Sequence, residues 1–151
     1  MVFEIPFEMS ISFSDVEIII RVLVAVLLGG IVGYEREKSK KPAGLRTHIF
    51  VSMGACLFTV ASFYLLPGNI VGSYDSTRIA AGVVAGISFI GAGSIIALKG
   101  DVKGLTTAAS LWVVSAIGMI LGLGNYVLPV LATIISFIVL RLDKIETKSK
   151  E

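Results

Sequence analysis

An arginine inside an apolar stretch is the first chemically suggestive feature of this 151-residue sequence. Arg21 lies near the start of one such stretch, and Arg78 opens another. Asp75 is the carboxylate nearest Arg78, while Asp15 and Glu17 precede Arg21. A cation surrounded by apolar chain is costly where the solvent is lipid, and it suggests either function or a fixed partner. Arg21, Asp75 and Arg78 thus form one candidate polar site. The plainer alternative is that both arginines extend to an interface or pair structurally.

A second constellation sits where two apolar stretches begin, at Gly44-Leu45-Arg46-Thr47-His48 and at Gly104-Leu105-Thr106-Thr107. A helix N-terminus offers free N–H groups and a partial positive charge that attracts anions. Threonine there can cap. Glu35, Arg36, Lys41, Arg46, Thr47, His48, Lys103, Thr106 and Thr107 make a candidate anion or partner face. Its ligand would be a lipid headgroup, a phosphate or the carboxylates of a partner. Ordinary capping combined with topology-setting charge is the competing account.

Other chemistry finds no footing. Glu35, Glu37, Asp75 and Asp101 all fall at the ends of apolar stretches or between them. Magnesium prefers oxygen ligands, usually with one or two carboxylates, so a dedicated path for it would be expected to carry a buried acid. There is no metal-spaced His/Cys set, phosphate-binding glycine loop or nucleophile–base constellation. The single cysteine, Cys56, reads as a small buried apolar residue. No enzymatic activity, cofactor, metal site or nucleic-acid partner is expected.

The elements that would position these residues follow from charge distribution. The chain is 55% hydrophobic and 16% charged, with a mean hydropathy of +0.90. Its charges leave long apolar blocks between them, and about 20 such residues cross a bilayer core as a helix. Spans are expected at 16–34, 47–66, 78–98, 105–123 and 126–142, flanked by a leader over 1–15 and a basic tail over 143–151. Pro129 then falls in a first helical turn, where a missing N–H costs little.

Eleven of the thirteen basic residues fall on one side of this alternating path, Arg21 and Arg78 being the exceptions. The positive-inside rule puts that side in the cytoplasm and the N-terminus outside. The start lacks the basic n-region of a signal peptide, so the first span reads as retained. In the leader, Phe3, Ile5, Phe7, Met9, Ile11 and Phe13 alternate with polar residues or proline. That pattern fits an extended segment, and equally a short interfacial helix.

Glycines at i, i+4 recur at Gly29/Gly33, Gly82/Gly86 and Gly118/Gly122, making grooves where another helix can approach, in this chain or a second copy. The third span, which also holds Gly91 and Gly93, is smooth enough to be expected at the centre of the bundle. Arg21…Gly29 and Arg78…Gly86 share a spacing, and each is followed by a basic loop ending in Gly-Leu-x-Thr. This is consistent with two related helical hairpins, or with chance in a glycine-rich chain.

Tyr34-Glu35-Arg36-Glu37, Lys41-Pro42-Ala43-Gly44-Leu45-Arg46-Thr47-His48 and Asp75-x-x-Arg78-Ile79-Ala80-Ala81 resemble the MgtC/SapB family of bacterial membrane proteins. Gly86-Ile87-Ser88-Phe89-Ile90-Gly91-Ala92-Gly93 and Gly104-Leu105-Thr106-Thr107-Ala108-Ala109-Ser110-Leu111-Trp112 continue the likeness. The resemblance implies an all-α bundle in the bacterial inner membrane, linked to growth in low magnesium, membrane energetics and, in pathogens, survival inside host cells. It implies regulation through partners, including the F-type ATP synthase, rather than magnesium transport. A homo-oligomer, with a dimer favoured, and contact with membrane lipids are expected. Gly82 and Ser88 stand where the family pattern usually has glutamine and glycine, which puts any polar contact there in doubt. The chain is similar to short members that lack a soluble C-terminal domain.

Overall fold

The computed structural model describes residues 15–64, 77–98 and 101–148. They form α1 (Asp15–Lys38), α2 (Leu45–Tyr64), α3 (Thr77–Gly93), β1 (Ile96–Leu98), β2 (Asp101–Lys103), α4 (Leu105–Gly122) and α5 (Val127–Lys148). The all-α expectation holds, with one small addition. Residues 1–14 of the expected leader and Asp75 lie outside the described residues, and Asp15 already belongs to α1.

Helix ends follow local chemistry. Asp15 and Glu17 occupy the first turn of α1, and Arg36 and Lys38 its last, each matching the helix dipole. The chain then reverses through Lys40, in the left-handed region at φ 53°, with the Lys41 N–H returning to the Arg36 carbonyl at 3.0 Å. In front of α5, the Asn125 side-chain oxygen accepts from the Leu128 N–H at 3.1 Å, and Pro129 sits in the first turn.

The third helix is shorter than expected. It stops at Gly93 instead of Leu98, where the Ser94 hydroxyl donates to the Gly91 carbonyl at 2.7 Å. The following apolar residues form an antiparallel hairpin, Ile96 opposite Lys103 and Leu98 opposite Asp101. Gly104, at φ 95°, turns the chain into α4, a conformation that glycine adopts without strain. At 17 residues, α3 is about 25 Å long.

Helix α3 is not the central helix. It touches only α2 and α4 substantially, whereas α4 packs on α1, α2, α3 and α5. The reason lies in the glycines. Gly118 of α4 meets the Ser52 main chain, and a Cβ on Gly122 would stand 2.6 Å from the Thr59 Cβ. On the same stripe of α2, a Cβ on Gly29 would stand 2.7 Å from the Ser52 Cβ, and one on Gly33 2.8 Å from the Leu45 Cα. Glycines of α1 and α4 therefore bring both helices against one face of α2, where the three pack on one another.

Polarity runs inward. Arg21, Glu35, Arg36, His48, Ser52, Thr59 and Ser110 are buried, whereas Ile19, Leu23, Phe50, Phe58, Phe89, Leu131 and Ile138 are exposed. Water as solvent would reverse that arrangement; hydrocarbon favours it. Helices α1, α2 and α4 are long and apolar enough to cross a membrane, and shorter apolar helices run over Arg78–Gly93 and Val127–Leu142.

Candidate functional site

Three buried polar clusters and one cavity contain most of the residues singled out by sequence. At one end of the bundle, Arg36 donates through Nε to Glu35 at 2.7 Å, and its Nη2 reaches the Leu140 carbonyl of α5 at 3.3 Å. Ser39 donates to the other Glu35 oxygen at 2.7 Å. Both charges of the pair are almost wholly buried. Arg36 thereby ties α1 to α5 and turns away from the surface.

The same end carries a correction. The threonines do not cap. Glu37 Oε2 accepts from the Leu45 N–H at 2.8 Å, so a carboxylate of this chain already meets the first N–H of α2. No side chain caps α4 at Gly104. Of the candidate anion face, Arg46, Lys103 and Thr106 are exposed and Lys41 and Thr47 half-buried, while Glu35, Arg36, His48 and Thr107 are buried.

His48 joins α2 to α4. Its Nδ1–H donates to the Gly44 carbonyl at 2.9 Å, and Nε2 lies 3.1 Å from the Ser110 hydroxyl. The Thr107 carbonyl, 2.8 Å from the same hydroxyl, is the alternative acceptor for its one hydrogen. The imidazole therefore sits in a helix–helix contact with its nitrogens engaged. Ser110→Ala removes one such bond and should cost about 1 kcal/mol in a detergent unfolding titration. An unchanged midpoint would show that the contact does not hold α2 to α4.

At the opposite end, Arg21 is buried against the last turn of α4. Its Nη1 donates to the Gly122 carbonyl at 2.8 Å, Nη2 pairs with Glu17, and a Cβ on Gly124 would press on the guanidinium. Arg78 is exposed and belongs to a different surface. The structure does not show Arg21 and Arg78 sharing a contact, and Asp75 falls outside the described residues.

Arg78 instead stands at a cavity of about 860 Å³ between α2 and α3. Arg46 and Thr47 line it from the start of α2, Phe50, Gly54 and Phe58 follow, and Gly82, Gly86 and Ile90 face them from α3. A Cβ on Gly54, Gly82 or Gly86 would meet nothing within 4 Å, and the same holds for Gly93. The third-helix glycines therefore hold no helix of this chain, except that Gly91 lies in ordinary contact with Ala108. Ser88, exposed, donates to the Val84 carbonyl of its own helix at 2.7 Å. Sequence reasoning missed Glu37, Ser52, Gly54 and Ser110. The alignment of Ser52 with His48 and Cys56, one turn apart on α2, was the available signal.

Fold and site define a helical bundle of membrane type, with buried arginines paired within α1 and tied to carbonyls of neighbouring helices, and an apolar groove on one side. The chain belongs to the MgtC family, whose family model matches residues 22–148. YhiD of Escherichia coli strain K12, which bears a provisional name as a magnesium transporter, is 44% identical over 128 residues, 82% of this chain and 59% of YhiD. Protein MgtC of Salmonella typhimurium strain LT2 is 42% identical over 117 residues, 78% of this chain and 48% of that protein. Protein SapB of Bacillus subtilis strain 168 is 36% identical over 118 residues, covering 76% and 51% respectively. The chain thus spans about half to three-fifths of the length of these relatives. No solved structure matches it significantly.

Proposed function

We propose that the chain is a multi-pass protein of the bacterial cytoplasmic membrane that regulates magnesium-linked growth and membrane energetics through lipid or protein partners. The observation that carries this reading is the lining of the α2–α3 cavity. It is apolar, with arginines near its two ends and no carboxylate among its described lining residues. Such described walls offer a divalent cation no carboxylate ligand, and the arginines repel it. Self-association as a dimer and contact with a membrane complex such as the F-type ATP synthase belong to the same reading, the latter by resemblance.

Transport is the second reading, favoured by the name of YhiD. Purified protein in liposomes separates the two. Magnesium flux no greater than in empty vesicles, with a membrane partner captured by crosslinking in native membranes, is the expected result. Magnesium or proton flux that Asp75→Asn abolishes would establish transport instead.

Five spans with the N-terminus outside form part of this proposal. Its support is that Arg36, Glu37, Leu45, His48, Ser110 and Leu140 are joined at one end, while Arg21 meets Gly122 at the other. Cys56 is fully buried, so the native thiol gives little background for labelling. In sealed cells, Asp15→Cys should react with an impermeant maleimide, and Lys38→Cys should react only after permeabilisation. Equal labelling of both would defeat the topology.

A further inference from the structure

We propose that the cavity between α2 and α3 holds one acidic phospholipid, its phosphate on Arg46 and an acyl chain along the channel floored by Gly54, Gly82 and Gly86. The inference rests on the reading of α2 and α3 as membrane-crossing helices. It concerns a site within the bundle wall, separate from the basic end as a whole.

Volume is the first argument. About 860 Å³ lies in the upper part of the ~300–1,000 Å³ range of sites that enclose a small ligand. The space exists because side chains are missing where two helices face each other. Gly54 on α2 and Gly82 and Gly86 on α3 would each accept a Cβ without meeting an atom within 4 Å. Phe50 and Phe58, two turns apart on α2, line the same groove and are both exposed. An unfilled groove of this kind forfeits dispersion contacts along its length. In a bilayer the nearest flexible apolar group is an acyl chain.

Length and charge give the second argument. Arg46 and Phe58 are twelve residues apart, or about 18 Å along a helix. One leaflet of a hydrocarbon core is about 15 Å deep. A chain entering beside Arg46 therefore has roughly a leaflet's depth of groove before it.

The cation at the entrance selects the headgroup. Arginine offers a planar fork of donors that matches a phosphate, and it stays charged. Thr47 adds a hydroxyl at the same mouth. Glu37 already meets the Leu45 N–H, so recognition falls to the guanidinium instead of the helix terminus. No described carboxylate lines the groove.

That last fact also favours a lipid over a second copy of this chain. A glycine groove welcomes another helix, but an apolar helix laid across this one would cover Arg46 without supplying an anion. An uncompensated charge withdrawn from solvent is heavily penalised. A phospholipid carries its own counter-charge.

The test uses the detergent-purified full chain, incubated with dioleoyl phosphatidylglycerol or dioleoyl phosphatidylcholine and examined by native mass spectrometry. One phosphatidylglycerol should be retained per chain, in preference to phosphatidylcholine. Arg46→Gln should lower that retention about tenfold, the scale of one charge-assisted contact, and leave phosphatidylcholine unaffected. Gly82→Leu with Gly86→Leu fills the groove and should remove the bound lipid while helicity stays constant. Equal retention of the two lipids, or unaltered retention in Arg46→Gln, overturns the proposal. So does a filled groove that turns a dimer into a monomer with its lipid still present, because the occupant is then a second copy. A chain that stays dispersed without detergent would defeat the membrane reading itself, a result distinct from a detergent-soluble chain that retains no lipid.

Discussion

Gly118→Ala should destabilise the folded bundle by about 3 kcal/mol or more, although it adds a single methyl group. A Cβ at this position would fall directly on the Ser52 carbonyl, with the Ser52 Cα 3.0 Å away. The obstruction is the backbone of a helix, so no rotamer change relieves it. Helices α2 and α4 would have to separate, which would also disturb the close approach of α1, whose Gly29 meets the same Ser52. Gly82→Ala is the matched control. It places a methyl where nothing lies within 4 Å, and better helix propensity should make it neutral or more stable by up to about 1 kcal/mol. Unfolding in mixed micelles, followed by helicity as a denaturing detergent is added, measures both. Equal midpoints for the two variants would show that the close crossing of α2 and α4 is absent.

The buried ion pair carries the other large expectation. Glu35→Gln should cost about 3–5 kcal/mol because Arg36 stays buried without its neutralising partner. The loss should not be additive. Removing both charges together, as Glu35→Gln with Arg36→Met, should recover much of it, since an apolar side chain at a buried site demands no counter-charge. The Leu140 contact at 3.3 Å is forfeited in the double variant, which sets a limit on the recovery. A double-mutant cycle from the same titration gives the coupling. A double variant less stable than Glu35→Gln alone would contradict this account, and would mean that Arg36 acts chiefly as the tie between α1 and α5.

Much of the fold was legible because lipid imposes length. An apolar block long enough to cross must pair its own backbone, so α1, α2 and α4 could be drawn from charge spacing alone. The end of α3 could not. Ile95-Ile96-Ala97-Leu98 is an apolar run that helix and strand share, and periodicity does not separate them over four residues. Ser94, folding back on Gly91, made the decision locally.

The candidate site was half legible. Arg21, Arg36, His48 and Arg46 were each singled out by residue type, but their partners were not. His48 meets Ser110 across 62 residues of sequence, and Arg36 meets Leu140 across 104. Nothing in either local sequence announces the other. Glu37 is different: it lies eight residues before the N–H that it accepts from, and the tight α1–α2 turn could have suggested it.

By itself, the sequence determined that this is a helical protein whose apolar segments alternate with charged ends, and its motifs were enough to point to the family. Those properties depend on composition along one dimension, which burial in lipid translates directly into helices. Tertiary structure alone decided which glycines are occupied. Gly29/Gly33, Gly82/Gly86 and Gly118/Gly122 carry the same i, i+4 signal, yet the first and last pairs press on α2 while the middle pair borders an open groove. A missing side chain records that a neighbour is permitted. Whether one arrives depends on the packing of the other four helices.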